Sequence, residues 1–251
     1  MQKVKLASSL KEKKQRDNTG LFLIEGNNVI AEALNNNNII EFAVYSEKAD
    51  NKIVDLLTSS KVETLLVEQK VIDKISDTET SQGVIAVAKK LDNSQNDIFK
   101  EISMIVICDE IQDPGNLGTI IRSAAAAGCT GVVISKDSAD VYSPKVVRST
   151  GGCLFKVPVI AEIDLKEFIS ETKKQKVSVI AASVGAKESF YNADLSKPFA
   201  VVIGNESRGV KPEILSLCDG LVSIPMKNNV ESLNAGISAS VIVFEAMRQR
   251  G

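Results

Sequence analysis

The chain has 251 residues, a formal net charge of −2, 44% hydrophobic and 25% charged residues, and no histidine. That is an ordinary globular composition, long enough for one large or two modest domains and with no overall field to draw it to nucleic acid. No apolar run approaches the roughly 20 residues that span a bilayer, the amino terminus lacks the apolar core of a signal peptide, and the missing imidazole removes every Ser-His, Cys-His or His-base mechanism. Cytoplasm is the expected location. Cys108, Cys129, Cys153 and Cys218 are widely spaced with no C-x-x-C, so no metal site is expected.

In chain order, residues 1–20 hold Lys3, Lys5, Lys11, Lys13, Lys14 and Arg16 against Glu12 and Asp17. This strip is either a phosphate-contacting face or a solvated helix face. Leu21–Ile24 reads as a strand, and Asn27 or Asn28 opens a helix through Leu34. Strands over Ile40–Tyr45, Thr64–Val67 and Gly83–Ala88 alternate with helices over Ile53–Leu57 and Val71–Ile75. The alternation predicts a small α/β domain over residues 1–90,. The polar, aperiodic stretch Leu91–Asp97 predicts a linker, taken as residues 91–100, before a second α/β domain at 101–251,.

That second domain opens with the buried-strand pattern Met104–Cys108. Asp113-Pro114-Gly115 signals a turn, Asn116 is placed to cap a helix over Leu117–Ala127, and Gly128 stops it,. Arg122 is the one large cation of this small-faced helix. Gly131–Ile134, Val157–Ile160 and Val177–Ala182 read as strands, Pro144–Ser149 and Leu165–Lys173 as helices. Phe199–Ile203 is a further buried strand, followed by the turn Gly204-Asn205-Glu206-Ser207-Arg208-Gly209. A second apolar run ends in Ile224-Pro225-Met226, ahead of Ser232-Leu233-Asn234 and a last helix to Arg250. Short apolar runs bounded by Gly and Pro predict a mostly parallel sheet, whose carboxyl-end loops carry the ligand. Val210-Lys211 follows Gly209, where a phosphate loop needs Lys-Ser/Thr, and no G-x-G-x-x-G is present.

Three separated motifs then align. They are Asp109-x-x-Gln112-Asp113-Pro114-Gly115-Asn116-Leu117-Gly118-x-x-x-Arg122, Gly204-x-Glu206-x-x-Gly209, and Ile224-Pro225-Met226 with Ser232-Leu233-Asn234. In this order and spacing they resemble the SpoU/TrmH family of RNA ribose 2′-O-methyltransferases, within the SPOUT class. Phe22-Leu23-Ile24-Glu25-Gly26 and Ser81-Gln82-Gly83 resemble that family's amino-terminal substrate-binding domain. The resemblance implies S-adenosylmethionine as cofactor, a deep trefoil knot with helices on both faces of the sheet, and a homodimer with active sites at its interface. The implied substrate is a structured RNA, with ribosomal RNA favoured over transfer RNA. A catalytically inactive methyltransferase fold that only binds RNA is the alternative.

By matching motif positions, Gly204, Ile224 and Leu233 are expected to line the cofactor pocket, with Asn205, Met226 and Ala182 beside them. Asn116, Arg122, Glu206, Ser232 and Asn234 match the catalytic and orienting positions. Lys11, Lys13, Lys14 and Arg16 are expected to contact RNA. The chain departs from the family after Asn234, where Ala235-Gly236-Ile237 replaces the commoner Val-Ser-Val. With no histidine, proton handling falls to Arg122 or to water. A guanidinium stays protonated at physiological pH, so electrostatic positioning stands beside base catalysis.

Overall fold

Apolar runs rich in Val, Ile, Leu and Phe build the amino-terminal sheet in the computed structural model, which describes residues 2–36 and 39–251. The elements are α1 (Gln2–Ser9), α2 (Lys13–Thr19), β1 (Leu21–Glu25), α3 (Asn27–Leu34), β2 (Ile40–Tyr45), α4 (Asn51–Ser59), β3 (Glu63–Leu66), α5 (Gln69–Ile75) and β4 (Val84–Lys89). The sheet order is β1-β4-β2-β3, antiparallel except for the β2–β3 pair. One face packs Leu23, Phe42, Val44, Ile85 and Val87 on Ala7, Leu10, Ile72 and Ile75. The anticipated strands and helices of this region all occur, but neither Asn27 nor Asn28 caps α3. Gly26 takes that place at φ 105° without a side-chain cap.

The chain then continues through α6 (Gln95–Ile98), β5 (Met104–Asp109), α7 (Pro114–Ala126) and β6 (Gly131–Ser135). The stretch expected to be a linker is ordered: Ser94 and Asp97 form a reciprocal capping box on α6. Ile98 is fully buried and packs so tightly on Gly131 that a Cβ there would lie 2.3 Å from it.

Residues 140–155, with α8 (Pro144–Ser149), leave this second unit and pack with the chain up to Asp92. The reason is chemical. Val141, Tyr142, Val146, Val147 and Leu154 are buried, and the Tyr142 ring lies 4.8 Å from that of Phe22. Asp140 meets Arg16, with Nε 3.0 Å and Nη2 2.5 Å from its Oδ2. Arg16 also donates to the carbonyls of Leu10 and Lys11 and is only 3% exposed. Its expected role as a phosphate contact is therefore corrected: the guanidinium is a structural tie inside the first unit. Lys11, Lys13 and Lys14 are exposed.

The second unit resumes with β7 (Val159–Ile163), α9 (Leu165–Lys174), β8 (Ser178–Ala182), β9 (Glu188–Ser189), β10 (Phe199–Gly204), α10 (Pro212–Leu215), β11 (Gly220–Ser223) and α11 (Ala235–Gln249). Its seven strands run in the order β7-β6-β5-β10-β8-β11-β9, with every strand pair parallel. Strands buried on both faces explain the unbroken apolar runs of β5, β6 and β10,. Helices α7 and α11 pack directly on each other. Ser123 and Ser240 share a hydrogen bond of 2.6 Å, and a Cβ at Gly236 would lie 3.0 Å from Thr119. The small residues of both helices thus serve close packing within one chain. Among the described residues no helix is long and apolar enough to cross a membrane.

Candidate active site

The carboxyl ends of β8, β10 and β11 open into one cleft of about 700 Å³. Its walls come from the segments that follow those strands: 183–186, 204–210 and 224–238. All six residues expected to bind a cofactor line it: Ala182, Gly204, Asn205, Ile224, Met226 and Leu233. Glu206 and Ser232 line it too, and Val184, Gly185 and Val230 add wall that motif matching did not supply. The volume is that of a small-molecule pocket, and its lining mixes apolar side chains with nearly as much polar surface,. Ile224, Met226, Val230 and Leu233 can flank a flat heterocycle. Glu206 and Glu231 face the cleft, and its one arginine, Arg208, already pairs with Glu110 at 2.9 Å. Such a lining suits a neutral or cationic ligand better than a polyphosphate.

Gly204 leaves no room for a side chain. A Cβ there would lie 2.1 Å from the backbone nitrogen of Val210 and 2.2 Å from the carbonyl carbon of Gly209. The close approach is that of the loop to itself, and Asn205 and Gly209 close it with a backbone bridge. The Asn205 side chain is buried and engaged within the protein. Its Nδ2 donates to the Glu110 carbonyl at 3.0 Å, and its Oδ1 accepts from the amides of Ser207 and Arg208.

Beside the cleft, three distant segments meet through side chains. Asp113 caps α7 by accepting from the Asn116 amide at 2.8 Å, and Pro114 fills the first helical position,. Asn116 is thus not the cap but lies within the first turn, with its carboxamide free for other work. Its Nδ2 donates to Glu206 Oε1 at 2.6 Å, and its Oδ1 accepts from Asn234 Nδ2 at 2.6 Å. Asn234 Oδ1 in turn caps α11, accepting from the amides of Gly236 and Ile237. The chain of donors runs Asn234 to Asn116 to Glu206, and it orients all three amide and carboxylate groups without ambiguity. Glu206 Oε2 makes no hydrogen bond among the described residues and stays available to a ligand.

Two expected site residues stand apart from this chain. Ser232 is exposed and makes no hydrogen bond among the described residues. Arg122 is exposed on α7, outside the cleft lining, with no hydrogen-bond or ion-pair partner among the described residues. Beneath the cleft, Asp109 accepts from the Lys211 amide at 2.8 Å. Burial pushes its carboxyl above the usual range, with that hydrogen bond opposing the shift.

Known proteins match this chain along its whole length. The family model described as the SpoU rRNA methylase family matches residues 103–244, and that of an MRM3-like substrate-binding domain matches residues 1–86. The Bacillus subtilis (strain 168) 23S rRNA (guanosine(2553)-2′-O)-methyltransferase RlmP is 31% identical over 97% of this chain and 95% of its own. The Xanthomonas campestris pv. campestris 23S rRNA (guanosine-2′-O-)-methyltransferase RlmB is 31% identical, over 90% and 96%. Among solved structures, the SpoU methyltransferase AviRb from Streptomyces viridochromogenes, in complex with AdoMet, superposes with a TM-score of 0.92 at 28% identity, covering 99% of this chain and 97% of that one. An AdoMet-bound rRNA methyltransferase from Sinorhizobium meliloti superposes with a TM-score of 0.87 at 31% identity, covering 98% and 94%.

Proposed function

The chain belongs to the SpoU rRNA methylase family and is an S-adenosylmethionine-dependent RNA ribose 2′-O-methyltransferase, and we propose that the RNA it methylates is ribosomal. Support for the ribosomal substrate comes from the relatives named for 23S rRNA and from the substrate-binding domain matched over residues 1–86. The observation that carries the catalytic reading is the Asn234–Asn116–Glu206 chain, which draws all three motifs to the lip of one cleft. An inactive, purely RNA-binding fold would have no need of that arrangement.

In this reading Gly204, Ile224, Met226 and Leu233 hold the adenosine part of the cofactor, and Ala182 and the backbone at Asn205 complete the wall. S-adenosylmethionine, when bound, supplies a methyl group on a sulfonium whose departure leaves a neutral thioether. The residues around it have to place a ribose hydroxyl in line and to accommodate its proton. Alignment of this kind lowers a barrier by roughly 7–11 kcal/mol. Glu206, held on one oxygen by Asn116, accepts a hydrogen bond from the incoming hydroxyl on its other oxygen and takes its proton as the methyl group transfers, passing it on to water. Ser232, at the rim of the cleft, adds a hydroxyl donor and acceptor. Arg122 binds the RNA phosphate and holds the nucleotide in register. It acts as a planar cation and not as a base, because a guanidinium is a fixed fork of donors with no acceptor to offer.

Arg122 lies outside its own chain's cleft, which supports a site completed by a second copy. The outer side of α11 carries Ile237, Phe244 and Met247, each about half exposed at 49%, 47% and 48%. With Val241 they form a row at helical spacing beside α7. A homodimer that covers this row brings Arg122 to the interface. Light scattering tests it: the wild type runs as a dimer and Phe244→Glu as a monomer with its cofactor site intact. A monomeric wild type would refute it. The substrate is tested by methyl transfer from labelled cofactor to purified ribosomal RNA and to bulk transfer RNA. Incorporation into ribosomal RNA alone is expected, and incorporation into transfer RNA alone would overturn the proposal.

A further inference from the structure

Glu110 follows β5 with φ 55°, in the left-handed region that glycine occupies without cost,. If only the turn mattered, a side chain here would be a liability. Glu110 is also nearly buried, at 9% exposure, and each of its polar groups has a partner. Its amide donates to Ser135 Oγ at 2.9 Å, and its carbonyl accepts from Asn205 Nδ2 at 3.0 Å. One carboxylate oxygen accepts from Arg208 Nη2 at 2.9 Å, and the other meets Lys211 Nζ at 2.7 Å.

These partners are not scattered. Asn205, Arg208 and Lys211 span the loop between Gly204 and α10, and that loop carries Glu206 and walls the cleft. The neighbouring Asp109 fastens the same loop through the Lys211 amide. The hydrogen bond from Lys211 holds the Glu110 carboxyl below the usual range, against a smaller opposing effect of burial. Glu110 raises Lys211 in return.

We propose that Glu110 is a positioning residue for methyl transfer. By gripping Asn205, Arg208 and Lys211 together, it fixes the loop that forms the cofactor wall and presents Glu206 to Asn116. The inference rests on the reading of the cleft as the cofactor site. It explains why a carboxylate occupies a backbone position that glycine would fill more easily. It also explains why Arg208, lining the cleft, does not repel a sulfonium: its charge is balanced from beneath.

The test compares wild type with Glu110→Gly and Glu110→Gln in the full-length protein. Three quantities are read: the unfolding midpoint, hydrogen exchange of the amides of Ser207, Arg208 and Gly209, and affinity for S-adenosylhomocysteine by calorimetry. Glycine suits the φ, so Glu110→Gly is expected to keep its midpoint. Its loop amides should exchange about tenfold faster and its affinity fall about tenfold, with kcat reduced even at saturating cofactor. Glu110→Gln keeps one acceptor oxygen but turns an amide donor toward Arg208 or Lys211, so its losses should fall between wild type and Glu110→Gly,. Should Glu110→Gly fold poorly, the Arg208→Ala/Lys211→Ala pair removes the same grip without touching the turn, and the same losses are expected. Unchanged loop exchange with affinity within twofold of wild type would overturn the proposal. So would losses that merely track a fall in the midpoint. If the wild type itself fails to bind S-adenosylhomocysteine, the cofactor reading fails, and loop exchange alone still decides the grip.

Discussion

Asn116→Asp is the sharpest perturbation of the site, because it changes one donor and almost no volume. In the wild type Asn116 Nδ2 donates to Glu206 Oε1 at 2.6 Å, while Oδ1 accepts from Asn234. The substitution keeps the second bond and replaces the first by two carboxylate oxygens face to face. At an effective dielectric constant near 20, like charges this close repel by about 6 kcal/mol. The pair avoids that cost by sharing a proton, so one folded-state carboxyl pKa rises above its unfolded value. The sign follows. Below the unfolded pKa both states are protonated and nothing is lost; stability then falls as pH rises toward the folded pKa. Each full unit of that window is worth about 1.4 kcal/mol, so about 4 kcal/mol is the ceiling between pH 5 and pH 8. Glu206 is exposed and can swing into solvent, which reduces the expected extra loss to about 1 kcal/mol. Urea unfolding at the two pH values measures it, and Asn116→Ala provides the reference with no such pH signature. Equal destabilisation of both variants at both pH values would refute the hydrogen-bonded contact as the organising feature of the site.

Calorimetry should show S-adenosylmethionine and S-adenosylhomocysteine binding while ATP and NAD do not; the absence of any binding to folded protein, with or without RNA, would remove the cofactor assignment. Arg122→Ala and Arg122→Lys should both lose nearly all turnover while keeping cofactor affinity, since a point charge cannot replace a planar fork, and normal turnover in either would remove Arg122 from the mechanism. Arg16→Ala should destabilise the protein by about 3 kcal/mol, because it strands Asp140 without its buried partner,, whereas Lys14→Ala should stay within about 0.5 kcal/mol; thermal unfolding of the two decides which part of the basic strip is structural. Neutralising Lys11, Lys13 or Lys14 should lower the log–log salt slope of RNA binding by about 0.7–0.9 for each lost phosphate contact, and an unchanged slope would mark them as a solvated face.

Much of the site was legible because its residues are fixed by spacing. Strand ends put Gly204 and Ile224 on one edge of a parallel sheet, and the motif order placed Asn116, Glu206 and Asn234 in one site. What spacing does not carry is which of several polar groups takes a given bond. Asp113 outcompeted Asn116 for the cap of α7, and only that exchange leaves the Asn116 carboxamide able to bridge two other motifs. Composition misread Arg16 for a related reason. Its partner Asp140 is 124 residues away, and no local pattern reports so distant a carboxylate. The packing of residues 140–155 with the amino-terminal unit was hidden likewise, since Pro144–Ser149 reads as a helix wherever it docks. A fragment cut at residue 100 would strip that insertion of its β1 neighbours and uncover Val146 and Val147. Glu110 was passed over because an acidic residue after a strand looks like any turn. Its positive φ, together with its three loop partners, sets it apart. Topological threading leaves no trace in periodicity, so a knot was reached only through family resemblance.

The proposed substrate is a ribose 2′-hydroxyl of ribosomal RNA. The most direct measurement is a map of 2′-O-methylated nucleotides in ribosomal and transfer RNA from cells lacking the gene, complemented with the wild type or with Arg122→Ala. One ribosomal 2′-O-methyl group is expected to vanish on deletion, return with the wild type and stay absent with Arg122→Ala. An unchanged ribosomal map, or a lost methyl group confined to transfer RNA, would contradict it.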